Sequence, residues 1–203
     1  MVKPDYKQAE SGAVPDGWKP KPLGSLSEFI TKGATPTTYG FAWQPDGVPF
    51  LRSECVAEHG LDLSKSMFIS HEAHEALNRG EVCPGDILIT ITGNVGRVII
   101  LGMEFIVGNI NQHIARIRIT DKNTNAQYIY HYLSQPSVRQ YYNSITTGQA
   151  YPQISLVQVR ETIVPLPPLP EQNSIASALS DVDALIESLE RLIAKKRDIK
   201  RAA

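Results

Sequence analysis

Residues 165–201 read PLPPLPEQNSIASALSDVDALIESLERLIAKKRDIKR and carry the clearest pattern in this 203-residue chain. The four prolines at the start predict a stiff, extended lead-in that lies outside helix and sheet interiors. From residue 171 onward nothing interrupts a helix, and apolar residues recur at alternating steps of four and three. This heptad spacing is typical of a coiled coil. Its members are Ile175, Leu179, Val182, Ile186, Leu189 and Ile193.

A helix over residues 171–201 would be about 46 Å long at roughly 1.5 Å per residue. It could not pack along its whole length on a domain of the size that remains. Ala178, Leu185 and Leu192 widen the apolar stripe beyond a two-helix contact, so we expect a third surface to cover part of it. Acidic residues come first and basic residues last. This order complements the helix dipole, and it also suits two copies that pair antiparallel. The sequence leaves both explanations open.

Size and composition fit one domain plus an appendage. The N-terminal residues are polar, and no apolar run approaches the length of a membrane span. We therefore expect a cytoplasmic protein with no membrane partner. The net charge of −1 argues mildly against tight, independent nucleic-acid binding, because phosphate neutralisation needs a basic surface. Cys55 and Cys83 are predicted to be reduced thiols rather than metal ligands or a disulfide.

The predicted elements define an α+β class. A globular domain at residues 15–168, with a twisted β-sheet and flanking helices, lies between a flexible tail at 1–14 and the long helix at 169–203. Residues 87–92 are β-branched or apolar throughout and predict a strand that is buried on both faces. Further strands are predicted at residues 48–52, 97–101, 105–107, 114–120 and 162–164. Helices are predicted at residues 71–78, 126–133 and 137–143, with a short one after Ser155.

Two short motifs suggest chemistry, but neither has the spacing that the chemistry needs. The sequence HEAHE at residues 71–75 places its histidines three apart, whereas the metalloprotease zinc motif needs four. An exposed polar helix face is therefore favoured over a metal site. The sequence GNVG at residues 93–96 lacks the lysine of a phosphate loop and predicts a tight turn between strands. No nucleophile lies in a recognisable motif, so we assign no catalytic residue, metal or cofactor.

Polar loops on a β-rich frame are the remaining candidates for a binding site. Asparagine and glutamine can read adenine edges, and hydroxyl groups bind phosphates or bases. Because loops are polar in most proteins, two other functions stay open. One is a protein-interaction adaptor that acts through the heptad helix, and the other is a small hydrolase with an unrecognised site. Basic residues that could supply charge are Arg52, Lys65, Arg97, Arg139 and Arg160.

The order of several landmarks resembles one half of the specificity subunit of type I restriction–modification enzymes, over about residues 14–201. The most specific landmark is Val164-Pro-Leu-Pro-Pro-Leu-Pro-Glu-Gln172 followed by the heptad helix, which is similar to a conserved helix of that family. Weaker landmarks are Pro15-Asp-Gly-Trp18, Lys32-Gly-Ala-Thr-Pro36, Thr92-Gly-Asn-Val-Gly96 and Gly148-Gln-Ala-Tyr-Pro-Gln-Ile154.

The resemblance implies that the globular part is a target recognition domain, which reads one half of a split sequence in double-stranded DNA. The helix would space two such domains and dock methyltransferase subunits, and through them the restriction subunit. Methyl transfer and cleavage would belong to those partners, so the chain itself would be non-catalytic.

A chain with one recognition domain and one helix is either a natural half-subunit or a piece of a longer chain. From the heptad spacing and the order of charges we expect a homodimer through antiparallel C-terminal helices, joined by the six heptad residues. The side chains expected at the DNA are Thr35, Thr37, Tyr39, Asn94, Arg97, Gln149, Tyr151 and Gln153.

Overall fold

The structure is a computed structural model that describes residues 6–9, 12–58, 60–148 and 150–202. The helices are α1 (His71–Ala76), α2 (Ala126–Leu133), α3 (Pro136–Ser144), α4 (Leu156–Glu161) and α5 (Leu169–Ala202). The strands are β1 (Tyr6–Ala9), β2 (Gly12–Pro15), β3 (Lys19–Pro22), β4 (Thr31–Lys32), β5 (Val48–Leu51), β6 (Val56–Ala57), β7 (Gly60–Leu61), β8 (Met67–Ile69), β9 (Glu81–Val82), β10 (Ile87–Thr90), β11 (Val98–Ile100), β12 (Gly108–Ile110), β13 (Ile114–Ile117) and β14 (Ile163–Leu166). The predicted α+β class and the long C-terminal helix are confirmed.

Two four-stranded sheets form the main β structure of the domain. The first has the order β11-β10-β13-β4 and is antiparallel throughout. The second has the order β8-β5-β12-β9, in which β5 and β12 run parallel. Two sheets are needed because β10 is apolar on both faces, so each face must be covered.

Successive side chains of β10 enter two different cores, as the period of a strand requires. Ile87 and Ile89 pack with α2, α3 and α4, while Leu88 packs between the two sheets with Ile110 and Ile114. All four residues of β10 are buried, which confirms the predicted strand that is buried on both faces.

The strand predicted at residues 105–107 is wrong in position, because pairing begins only at Gly108. A Cβ at Gly108 would lie 2.8 Å from the carbonyl oxygen of Pro49, so a glycine is needed where β12 approaches β5. Ile106 is exposed, while Phe105 packs into the core between the sheets.

Part of the flexible tail predicted at residues 1–14 has regular secondary structure. Strands β1 and β2 pair antiparallel there, with Tyr6 opposite Pro15, so this part of the chain has regular structure. Residues 1–5, 10 and 11 lie outside the described part of the chain.

The proline-rich lead-in is also more regular than predicted. Pro165 belongs to β14 and lies opposite Pro20 of β3, in a sheet of two strands that has only edges and so tolerates a missing N–H. Pro170 lies in the first turn of α5, where an N–H would have no partner within the helix. The expectation that none of these prolines is helical is therefore wrong for Pro170, whereas Pro165, in an edge strand, is not in a sheet interior.

Only the first part of α5 packs on the globular domain. Gln172 and Ala176 are buried, whereas residues 181–201 are all exposed. With 34 residues, the helix is about 51 Å long at roughly 1.5 Å per residue. Among the described residues, no helix combines the length and apolar character that crossing a membrane requires.

Candidate nucleic-acid interface

Gly33 brings the first of four polar loops against the end of β12. Its N–H donates to the carbonyl of Asn111 at 3.2 Å, and a Cβ at Gly33 would lie 1.6 Å from the carbonyl oxygen of Ile110. Only glycine permits this approach. The Oγ1 of Thr35 then donates to Oε1 of Gln112 at 2.8 Å, which fixes the loop. The four loops are residues 33–40, 91–96, 111–113 and 146–153.

Gln112 and His113 connect the first loop to the last. The Nε2 atoms of Gln112 and His113 are 3.2 Å apart. The ring of His113 meets the ring of Tyr151 edge to face, with centroids 6.1 Å apart. Tyr151 is 59% exposed, so most of its ring is open to a ligand that stacks on it.

The tight turn predicted at residues 93–96 is confirmed and joins the same group of loops. Gly93 and Gly96 have φ values of 77° and 83°, which glycine adopts without strain. The N–H of Gly93 donates to the carbonyl of Pro152 at 2.9 Å. Thr92 forms a β-bridge with Gln153, so the turn, with exposed Asn94 at its tip, lies beside the last loop.

These contacts group six of the eight predicted DNA-contacting residues on neighbouring loops. Thr37 and Tyr39 are exposed on the short turn that follows Thr35, and the side chain of Gln153 is exposed as well. Gln149 lies outside the described residues. We call the following six residues the polar-loop surface: Thr35, Thr37, Tyr39, Asn94, Tyr151 and Gln153.

Arg97 is engaged elsewhere in the molecule. Its Nε lies 3.5 Å from Oε2 of Glu58, and the same carboxylate accepts a hydrogen bond from Nη1 of Arg139 at 2.6 Å. Arg97 and Arg139 line a small cavity with Tyr130 and Ser134. The contacts of the Arg97 side chain are thus with this cluster and not with the polar-loop surface, contrary to our grouping of Arg97 with those residues.

A basic and aromatic group beside the first loop was not predicted. Lys32, Tyr39 and Arg79 line a cavity of about 240 Å³. The guanidinium carbon of Arg79 lies 5.4 Å from the centroid of the Phe29 ring, a cation–π distance. A Cβ at Gly80 would lie 2.9 Å from the Cα of Gly33, so a glycine is needed where the turn after α1 approaches this loop. No local sequence pattern could reveal contacts between residues about fifty positions apart.

The histidine pair of α1 is used in part for packing. Ser70 caps the helix as predicted, because its Oγ accepts from the N–H of Ala73 at 3.1 Å. The Nδ1 of His74 is hydrogen-bonded to Asn109, and its Nε2 lies 3.6 Å from Glu81. His71 is exposed. The structure therefore places His74 in a polar contact that ties α1 to β12.

The two cysteines lie in environments that suppress reactivity. Burial, as the largest cause, raises the pKa of both the Cys55 and the Cys83 thiol. A raised pKa lowers the thiolate fraction, and the thiolate is the reactive form. Both cysteines are free thiols in the structure.

The heptad residues of α5 divide into two groups. Ile175 packs partly against the core of its own domain, so only part of its side chain remains for a second helix. The other five are about half exposed: Leu179, Val182, Ile186, Leu189 and Ile193. Leu185, Leu192 and Ile199 are exposed in the same degree and widen the stripe. We call these eight residues the apolar stripe of α5.

Comparison with known proteins identifies the class to which this fold and these loops belong. The family described as type I restriction modification DNA specificity domain matches residues 15–195, and the chain belongs to this family. The putative type I restriction enzyme MjaX specificity subunit of Methanocaldococcus jannaschii is 28% identical over 198 residues. The type I restriction enzyme EcoBI specificity subunit of Escherichia coli is 27% identical over 185 residues.

The chain spans less than half the length of these relatives. The matches cover 93% and 89% of this chain, but only 45% and 38% of the respective relatives. A solved structure of the HsdS subunit from Thermoanaerobacter tengcongensis shares the fold, with a TM-score of 0.64 and 19% identity. That alignment covers 92% of this chain and 42% of the other.

Proposed function

We propose that this chain is the DNA-reading component of a type I restriction–modification system and recognises one half of a split target. The observation that carries the proposal is that the loops of the polar-loop surface, which carry hydroxyl, amide and aromatic side chains, are linked to one another by hydrogen bonds and ring contacts. Asn94 and Gln153 suit adenine edges in the major groove, and the threonine hydroxyls suit phosphates. Membership of a DNA specificity family supports this use of the surface.

The basic group beside the first loop would supply the electrostatic part of binding. Lys32 and Arg79 are exposed, and Phe29 holds the guanidinium of Arg79 from one side. Cations at the edge of a base-reading surface can neutralise phosphates and release counterions. The overall charge of −1 limits this contribution, so partner subunits would share the contacts to the backbone.

Two copies would be joined through α5 and would recruit methyltransferase subunits, and through them the restriction subunit. The chain itself would carry no catalytic activity. The apolar stripe supports this part of the proposal, because a row of half-exposed leucines and isoleucines on a projecting helix needs a partner surface. Acidic residues predominate in α5 before residue 191 and basic residues from Arg191 onward, which favours an antiparallel pair.

The test is DNA binding by the assembled complex of this chain with its methyltransferase subunit. Asn94→Ala should remove about 1–3 kcal/mol of binding free energy. The loss should concern the recognition of one base pair of the target and leave the other positions unaffected. Lys32→Ala should weaken all sequences alike and reduce the salt slope by about 1. Arg97→Ala is the matched control, since Glu58 already pairs with this arginine, and it should leave the salt slope unchanged.

The same experiment separates DNA reading from the adaptor function. If alanine replacement across the whole polar-loop surface leaves binding and specificity intact while the complex still assembles, the surface does not read DNA. The adaptor function, which needs only α5, would then be favoured.

A further inference from the structure

Gln172 is a polar side chain with no solvent exposure at the point where α5 leaves the domain. Its Oε1 accepts from the N–H of Asn125 at 2.9 Å. Its Nε2 donates to the carbonyls of Asn123 at 3.1 Å and Pro167 at 2.8 Å. One amide therefore satisfies three backbone groups from two segments, the loop before α2 and the proline-rich lead-in.

Further contacts continue this attachment along α2. Asn125, which caps α2 through its Oδ1, also donates from Nδ2 to Asn173 at 2.7 Å. The Oγ of Ser180 lies 3.2 Å from Nε2 of Gln127 and 3.1 Å from Nε2 of His131. We call the following seven residues the α2–α5 joint: Asn125, Gln127, His131, Gln172, Asn173, Ser180 and Asp183.

The order of these contacts fixes the direction of α5. Asn125 meets Asn173, and His131 meets Ser180 and Asp183, so both helices run the same way. Two contact points that are separated along the axes of both helices fix the angle between α2 and α5. A single contact point could not fix this angle.

Beyond Asp183, residues 184–202 extend the free end of α5 by about 28 Å at roughly 1.5 Å per residue. A tilt of about 10° at the joint would move that end by about 5 Å, more than the roughly 3.4 Å rise of one base pair. Small changes at the joint would therefore be amplified at the far end of the helix.

We propose that Gln172 is a positioning residue that sets the distance between the two half-sites of the DNA target. The inference rests on the proposed function, in which α5 joins two DNA-reading domains. Helix length alone cannot fix that distance, because the domains could still pivot at the point of attachment. The buried amide of Gln172 removes this freedom, so the complex should accept one gap length and reject those one base pair longer or shorter.

The test is methylation of a library of split sites with varied gaps by the complex of full-length chain and methyltransferase subunit. Gln172→Glu keeps the size and the acceptor for Asn125 but cannot donate to Asn123 and Pro167 when ionised. We expect its preference for the best gap over adjacent gaps to fall by about threefold or more, while the preferred bases within each half-site stay the same.

Gln158→Glu is the matched control. Gln158 also spans backbone groups with one amide, accepting from Ser155 and donating to Ile145 at 2.8 Å and 3.2 Å, but it lies in α4 and outside the joint. It should lower thermal stability without changing the gap preference. If both glutamate variants broadened the gap preference equally, general loosening of the fold would explain the effect and the inference would fail.

Ser180→Ala is the second variant, in case Gln172→Glu does not fold. It removes the outer contacts to Gln127 and His131, with Ser174→Ala as its control because the Ser174 hydroxyl donates within its own helix, to Pro170. A broader gap preference in Ser180→Ala, with no such change in its control Ser174→Ala, supports the role of the joint. A sharp, unchanged gap in folded Gln172→Glu and Ser180→Ala overturns it. A wild-type complex that methylates no split site would instead refute the proposed function.

Discussion

At the turn before β10, Asp86 is 1% exposed and accepts two hydrogen bonds from Arg118, from Nε and Nη2, each at 2.7 Å. These hydrogen bonds are the main reason that the pKa of Arg118 is raised. The N–H of Cys83 also donates to Asp86. A carboxylate in this position is tolerated only because all these groups satisfy it.

Replacing Asp86 should therefore be costly for stability. We expect Asp86→Ala to lower the free energy of unfolding by about 3 kcal/mol, the lower end for a broken buried pair, because Arg118 is partly exposed. Urea denaturation measures this loss. Asp46→Ala, at an exposed aspartate, is the control and should change stability by less than about 0.5 kcal/mol. Similar small effects in both variants would show that the Asp86–Arg118 pair does not support the fold.

His131 should make the α2–α5 joint sensitive to pH. Burial, opposed by Asp183, lowers the pKa of His131 below its ordinary value of 6.5. The folded state therefore favours the neutral ring, and the unfolded state takes up a proton first as the pH falls. The contribution of the neutral His131 ring to the stability of the folded state is complete above about pH 6.5 and decreases as the pH falls below that value.

We expect His131→Gln to lose less stability than wild type between pH 7.5 and about pH 5, because glutamine does not titrate. Thermal unfolding at a series of pH values measures the difference. His71→Gln, at an exposed histidine, should keep the wild-type pH dependence. Parallel curves for wild type and His131→Gln would contradict a titrating role for this ring.

At the scale of elements, local sequence signals predicted strands and helices well, but contacts between residues far apart in the chain were not predicted. The four β-branched or apolar residues of β10 and the N-cap residue Ser155 both act within a few positions, so the sequence alone indicated that strand and the short helix. The pair Arg97–Glu58 and the contact between Arg79 and Phe29 join residues far apart in the chain. Their partners follow from sheet topology, which no local pattern encodes.

The apolar stripe of α5 is about half exposed along its length. Leu179 and Ile186 are 43% and 49% exposed. Burying the rest of each would contribute about 1 kcal/mol, half the value for full burial. Five such residues on each of two helices give on the order of 10 kcal/mol, within the association cost of about 4–15 kcal/mol. A stable pair therefore needs the wider stripe, including Leu185 and Leu192.

We expect Leu179→Asp with Ile186→Asp to give monomers, because two charges in the stripe would be buried without partners. Sedimentation analysis measures the mass, and circular dichroism checks that the domain remains folded. Ser177→Asp with Ala184→Asp is the matched control, since both residues are exposed and the pair places the same charges seven residues apart outside the stripe. A wild-type chain that remains monomeric at high concentration would rule out self-association through α5.

At the scale of the whole molecule, the proposed function requires two copies of a short chain to recognise one long site. Two identical readers related by a twofold axis must recognise identical half-sites related by inversion. A helix of about 51 Å can hold them on the order of one DNA turn apart, near 34 Å. The gap between half-sites would then be a property of α5 and of its joint to the domain.

The most direct test of this account is methylome sequencing of cells that express the chain together with its methyltransferase subunit. We expect methylation at an interrupted palindrome with a single gap length. Cells that carry the Leu179→Asp and Ile186→Asp variant should lose that methylation, while the Ser177→Asp and Ala184→Asp control should retain it. An asymmetric target would contradict the symmetric dimer as the reading unit, and the absence of sequence-specific methylation would contradict the assignment of this chain as a DNA reader.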